Sequence, residues 1–178
     1  DVYKRQGGTT AKLCAVEGGQ PFKVHEFEVD RIYRFKRGSG LPIKIPVIDM
    51  IEIGAGDGSL LEKLSESDFA NTFDAVEISE SAVKTILSRN IGRVRDVSLF
   101  DGSSVPHADG NYDLAILSHV VEHLEHPRQL LKEAGRVASF VWVEVPLELK
   151  LRTPRHFEWN STGHINLYSP KTIRHLLE

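Results

Sequence analysis

From residue 46 onward the apolar positions fall into a regular alternation of strand-like and helix-like runs. The run over 47–53 is apolar-rich and ends in glycines, which predicts a buried strand. In the next segment Leu60, Leu61 and Leu64 share one helical face. A second strand is expected over 73–78. Ser79, followed by Glu80 in a first turn, predicts a capped helix reaching about residue 88. Further strands are expected over 94–100, 112–118 and 140–145, the last stopped by Pro146. Pro127 opens a helix to about 137, at the one helical position where a missing N–H costs nothing, and Pro170 opens another. Residues 101–111 and 147–164 read as polar loops. Strands alternating with helices require a parallel sheet covered on both faces. With right-handed crossovers the expected fold class is α/β, a doubly wound, mostly parallel sheet.

The first 45 residues carry no such pattern. Residues 7–21 are rich in glycine and small side chains, and over 24–37 apolar residues alternate with charges without fitting either template. Gly38-Ser39-Gly40 and Pro42 break the chain. The expected organisation is an arm or lid over 7–40 and one core domain over 41–178. Asp1-Val2-Tyr3-Lys4-Arg5-Gln6 has no initiator methionine and reads as a translated adapter scar. The C-terminal end stops inside a helical pattern and reads as a truncation. Arg31, Arg34, Lys36 and Arg37 interleave with Tyr33 and Phe35, a possible nucleic-acid stripe. The formal net charge of −3 favours a solvated face or lid instead and weighs against nucleic-acid partners. The single cysteine, Cys14, excludes an internal disulfide and fits a reducing, cytoplasmic compartment. No apolar run approaches the roughly 20 residues of a membrane span.

Candidate chemistry concentrates at the ends of the expected strands. Glu52-Ile53-Gly54-Ala55-Gly56-Asp57-Gly58 joins a strand to a helix, where bare backbone can approach a ligand. The spacing is G-x-G-x-G rather than the dinucleotide G-x-G-x-x-G, and an acid precedes it. A carboxylate there repels a pyrophosphate but suits an ammonium, such as that of the methionine part of S-adenosylmethionine. Glu77 ends the second strand, where a carboxylate can accept from both ribose hydroxyls. Asp101-Gly102 follows the third, where an acid and a bare N–H can meet an adenine edge.

On these residues the stretch from about 46 to 145 resembles the class I methyltransferase family. Glu52 to Gly58 is similar to its glycine motif, Phe73-Asp74-Ala75-Val76-Glu77 to its ribose motif, and Tyr112-Asp113-Leu114-Ala115-Ile116 to its fourth strand. The resemblance implies a Rossmann-like methyltransferase fold whose final β-hairpin is missing here. It also implies S-adenosylmethionine as cofactor, held by Glu52, Gly54, Ala55, Gly56, Gly58, Glu77, Ile78, Asp101, Gly102 and Ser118. Gly163-His164-Ile165-Asn166-Leu167-Tyr168-Ser169-Pro170 resembles a segment of small-molecule members.

The stretch after the fourth strand, Ser118-His119-Val120-Val121-Glu122-His123-Leu124-Glu125-His126-Pro127, lacks the Asn/Asp-Pro-Pro-aromatic signature of amino-group methylation. It resembles that of the ubiquinone-biosynthesis O-methyltransferases and their small-molecule relatives. His119 and His123 are therefore the candidate catalytic bases for a hydroxyl on a small-molecule acceptor. A helix over 119–124 would put His119, Glu122 and His123 on one face, with His164 as a later ligand, as in metal-dependent relatives. No metal is assigned on that spacing alone. Two alternatives stand beside the enzyme, a non-catalytic binding module of the same fold and an RNA methyltransferase. Trp142 is expected in the core and Glu144 at the pocket rim or paired with a basic side chain. Arg152, Arg155 and His156 are placed on a loop that could cover an acidic substrate.

Overall fold

A computed structural model describes residues 14–17, 33–35, 42–44, 49–67, 69–146 and 163–177, with side chains from residue 49 onward. The core elements are β4 (Asp49–Ile53), α1 (Ser59–Ser65), β5 (Thr72–Glu77), α2 (Glu80–Arg89), β6 (Val94–Leu99), β7 (Tyr112–Ser118), α3 (Pro127–Val137), β8 (Ala138–Glu144) and α4 (Pro170–Leu177). Three short strands precede them: β1 (Cys14–Glu17), β2 (Tyr33–Phe35) and β3 (Pro42–Lys44).

The sheet runs β1-β8-β7-β4-β5-β6. Its five inner and right-hand strands, β8 to β6, pair in parallel, as the alternation of strands and helices predicts. β1 adds antiparallel to the outer edge of β8, so residues of the expected loose arm form an edge strand. β2 and β3 make a separate antiparallel pair in the segment that fitted neither template. From β4 the chain builds outward through β5 and β6, then returns to the other side of β4 for β7 and β8. The order therefore reverses between β4 and β7, and in such sheets the ligand crevice lies there, beyond the strand carboxyl ends.

Alternation along the strands divides the core in two. Ile51, Ile53, Val76, Ala115, Leu117, Val141 and Val143 pack against Leu130, Ala134 and Val137 of α3 and Ile173 and Leu177 of α4. Met50, Phe73, Ala75, Leu114 and Ile116 pack on the other face against Leu61 of α1 and Ile86 of α2. Trp142 belongs to this second layer, with its ring edge-to-face on Phe69 at 6.4 Å, as a core role requires. The predicted local signals operate as expected. Ser79 Oγ accepts from Ala82 N, and Pro127 sits at the start of α3. No described helix is long and apolar enough to cross a membrane. Residues 147–162, with Arg152, Arg155 and His156, lie outside the described residues, as do the side chains of Arg34, Tyr33 and Phe35.

Candidate active site

The loop after β4 is shaped by backbone that only glycine adopts freely. Gly54 has φ +79°, and a Cβ built on it would stand 2.6 Å from Val120 Cγ2, so the turn after β7 rests directly on this residue. Gly56 has φ +57°, and a Cβ there would meet nothing within 4 Å, so its surface faces open space. Gly54 N and Ala55 N both donate to the carbonyl of Val76, at 2.8 and 3.3 Å, which draws the loop over the end of β5. Gly58 N closes the turn by donating to Ala55 O at 2.9 Å, and α1 follows.

Glu77 completes this loop. Its Oε2 accepts from Gly56 N at 2.8 Å, and its Oε1 accepts from Ile78 N at 2.8 Å and Ser79 N at 3.1 Å. Three backbone donors fix the carboxylate, and capacity for further donors remains, since two carboxylate oxygens offer about four acceptor positions. Glu52 lies on the adjacent strand, on the α1–α2 side of the sheet. It is 3% exposed, and its Oε2 has no partner among the described residues. Burial, then Glu77, then Asp57, holds its carboxyl well above the ordinary glutamate range.

Asp101 behaves differently. Its Oδ1 accepts from Ser103 N at 2.8 Å, Ser103 Oγ at 2.9 Å and Ser104 N at 2.7 Å. Those backbone bonds hold its carboxyl below the usual range. It is exposed and closes its own turn, next to a surface pocket lined by Ser103, Ser104, Gln129, Lys132 and Glu133. The following Gly102 approaches the cofactor-side candidate Ile78, since a Cβ there would lie 3.5 Å from Ile78 Cγ2. Ile78 is 65% exposed, an apolar surface left open beside the glycine loop. The structure thus joins Glu52 to Glu77 and Ile78 to Gly102, and it turns Asp101 Oδ1 away into its own loop.

Across the crevice, the end of β7 carries the other candidates. The helix over 119–124 that the metal spacing would require does not form. A 3-10 turn spans Val121–His123, and His119 precedes it in a left-handed conformation, φ +56°. That conformation is uncommon for a residue with a Cβ and collects at functional sites. The short turn cannot present His119, Glu122 and His123 on one helical face. Instead His119 Nδ1 meets Glu122 Oε1 at 3.2 Å, and its N donates to Glu144 O at 3.0 Å. Its Nε2 stands 3.9 Å from Glu144 Oε1, and Ser118 Oγ donates to Glu144 Oε2 at 2.9 Å. Among the described residues Glu144 therefore pairs with an imidazole and a serine hydroxyl. Glu122 is fully buried, and its Oε2 has no partner among the described residues.

His123 is directed elsewhere. Its Nδ1 lies 3.0 Å from Gly163 O, and its ring stacks edge-on against His164 at 4.9 Å. Glu122, His123 and His164 bring ligand-capable atoms within 4.8 Å of one another, a grouping that leaves His119 out. The segment carrying His164 staples the turn in place. Ile165 N and Asn166 N both donate to Glu122 O at 2.9 Å, and Asn166 Nδ2 donates to Leu124 O at 2.6 Å. Tyr168 OH donates to Val121 O at 3.4 Å, and burial, with Glu122 beside it, pushes that phenol up to about 12. Reasoning from sequence missed Val120 and Asn166. Asn166 was visible only as a member of the 163–170 segment, and nothing in the pattern marked Val120.

Comparison with known proteins agrees with this geometry. Residues 29–178 match a family profile described as a methyltransferase domain. A 57-residue stretch is 39% identical to the uncharacterized protein MJ0964 of Methanocaldococcus jannaschii, covering 30% of this chain and 8% of that protein. Among solved structures, the (4+2)-cyclase SpnF superposes with a TM-score of 0.61 at 20% identity, over 74% of this chain and 50% of its own. A SAM-dependent methyltransferase from Aquifex aeolicus gives 0.57 at 19%, over 73% and 69%. Phosphoethanolamine N-methyltransferase 1 of Haemonchus contortus, solved with phosphoethanolamine and S-adenosylhomocysteine, gives 0.54 at 19%, over 73% and 30%. The chain spans 8% of its curated relative and half of SpnF, and these structural likenesses establish the fold alone. The family match covers most of the chain, and it shows that the chain belongs to the methyltransferase-domain family.

Proposed function

We propose that this domain transfers a methyl group from S-adenosylmethionine to a hydroxyl of a small molecule, with His119 as general base. The residues present suit the cofactor. Glu77 would take the ribose hydroxyls, and Ile78, Gly102 and the other oxygen of Asp101, Oδ2, the adenine. Gly54, Ala55, Gly56 and Gly58 would leave backbone open beside the tail, and Glu52 has an orphaned buried oxygen for its ammonium. When bound, the cofactor supplies an electrophilic methyl with its own leaving group, so the protein's task is to orient the acceptor and remove its proton.

The observation that carries the base assignment is the His119–Glu122 contact, seated by Val120 on Gly54 beside the switch point. A buried carboxylate accepting from Nδ1–H selects the tautomer whose Nε2 carries the lone pair. That nitrogen accepts the acceptor hydroxyl's proton, and Glu122 and Glu144 stabilise the imidazolium that results. His123, tied to Gly163 and His164, is the weaker candidate. Methyl transfer to a pooled library of small phenols and alcohols is the test. His119→Ala should lower turnover about 100-fold or more, the usual range for a lost general base, with S-adenosylhomocysteine affinity within about twofold of wild type. Equal turnover would remove His119 from the chemistry.

A metal-assisted version is favoured by one observation, the convergence of Glu122, His123 and His164. The Gly163 carbonyl facing His123 Nδ1 would leave Nε2 for an ion, the usual outer support of a ligating imidazole. Imidazole-rich ligation suits Zn²⁺ or Mn²⁺ better than Mg²⁺. Calorimetric titration with Zn²⁺ and Mn²⁺ tests it. Binding abolished by His164→Ala supports the metal, and binding indifferent to it does not.

A further inference from the structure

Glu52 poses an electrostatic problem that its neighbours do not solve. It is next to last in β4, 3% exposed, and its Oε2 lacks a donor among the described residues. The groups facing it are acidic: Glu77 from β5 and Asp57 from the glycine loop. The paired residue on β7 is the apolar Ile116. Arg89, which reaches Asp57 at 2.7 Å, is shared with Glu62 at 2.8 Å. An ionised Glu52 in the free protein would be desolvated, short of donors and opposed by a second carboxylate, a combination buried acids avoid by keeping their proton.

We propose that Glu52 carries a proton in the free protein and releases it to solvent when the ammonium of an amino-acid tail docks against it. The inference rests on the cofactor reading above and adds to it a rule of recognition. In the exchange the carboxyl O–H bond breaks, the proton leaves to the buffer, and the carboxylate so formed faces the incoming ammonium. The ammonium thus takes the proton's place as the positive charge against the Glu52 carboxylate, while the tail's own carboxylate lies outside this exchange. A ligand with the nucleoside but no ammonium leaves the proton in place. Glu52 would thus discriminate the complete cofactor and its product from truncated nucleosides, and binding of the complete ones would tighten with pH until Glu52 ionises by itself. The shift of Glu52 away from the ordinary carboxyl range, caused first by burial, points the same way.

The experiment is calorimetry on the chain as it exists, at one near-neutral pH in two buffers of different ionisation enthalpy. The probes are S-adenosylhomocysteine and 5′-methylthioadenosine, which lacks the amino-acid tail. The expected result is a buffer-dependent heat for S-adenosylhomocysteine corresponding to a release approaching one proton. No such dependence is expected for 5′-methylthioadenosine or for either ligand with Glu52→Gln. Buffer-independent heat for S-adenosylhomocysteine, or equal release by Glu52→Gln, overturns the proposal and leaves the cofactor reading standing. Absence of any S-adenosylhomocysteine binding overturns the cofactor reading itself. Should Glu52→Gln not fold, the two-ligand comparison on wild type decides alone.

Discussion

At the amino end of the sheet Asp74 is 5% exposed, and both its oxygens are filled. Arg95 donates to them through Nε at 3.1 Å and Nη2 at 2.9 Å, Asp96 N at 3.2 Å and Tyr112 OH at 2.7 Å. Arg95 reaches on to Asp49 at 2.7 Å, and Thr72 also donates to that carboxylate. At the carboxyl end Glu52 and Glu122 are as deeply buried, yet each has an oxygen with no partner among the described residues. The sheet and the residue class are the same. What differs is that one end spends its arginine and hydroxyls on neutralising buried acids, and the other withholds them. A buried acid that is fully paired stabilises the fold, and removing its partner is costly. A buried acid left short of donors is a standing demand for a ligand.

The contrast can be broken at either end. The largest effect is expected for Gly54→Val. It forces a Cβ toward Val120, 2.6 Å away, and a β-branched residue into φ +79°, so S-adenosylhomocysteine affinity should fall by about 3 kcal/mol or more. Isothermal calorimetry would read this, and an unchanged affinity would mean the loop does not face the ligand. Next, Asp74→Ala leaves the Tyr112 hydroxyl without its acceptor and Arg95 without its buried partner, and should cost about 2–3 kcal/mol of unfolding free energy. Arg95 is nearly half exposed, so the lower part of that range is expected. Cofactor affinity should barely change, and a large loss of binding would mean the two ends are not independent. Glu77→Ala should do the reverse. It should weaken S-adenosylhomocysteine binding by about 1.5–3 kcal/mol through the lost charged hydrogen bonds, with a smaller effect on the melting temperature.

The smallest effect is the pH dependence of stability. Glu52 has its folded value raised, so its neutral form is the one the fold prefers. Its contribution is complete below the ordinary glutamate range and is lost as pH rises through the raised value. The slope is at most about 1.4 kcal/mol per pH unit for one proton. Thermal melts taken upward from the ordinary glutamate range should therefore decline more steeply for wild type than for Glu52→Gln until the raised value is passed. Parallel curves would place the titration elsewhere.

Much of this was legible in the chain. Elements governed by signals a few residues apart came through with small end corrections. Examples are the glycine loop after a buried strand, the Ser79 cap, the Pro127 start and the parallel alternation. The strand expected over 140–145 spans 138–144, because backbone pairing with neighbours sets strand ends more than composition does, and the one expected over 47–53 is present over its described part, 49–53. The turn over 119–124 is not the helix that the metal spacing would require. Its residues lack a strong cap, and the 163–168 segment bonds its carbonyls from outside, so tertiary contacts replace the helical ladder. β1 was hidden because a four-residue edge strand needs only a partner edge, not a pattern of its own.

What the sequence by itself determined was where glycines, caps and prolines bend the backbone, and that three acids stand at the ends of three consecutive strands. Those follow from local sterics and from a periodicity of two or three and a half residues. What only the tertiary structure decided was which acids find partners. Asp101 turned into its own loop, Asp74 met Tyr112 38 residues away, Asn166 reached Leu124 across 42, and Glu52 Oε2 met no donor among the described residues. Whether a buried carboxylate is satisfied depends on which distant atoms the packed layers bring within 3 Å or so, and no rule confined to neighbouring residues contains that distance.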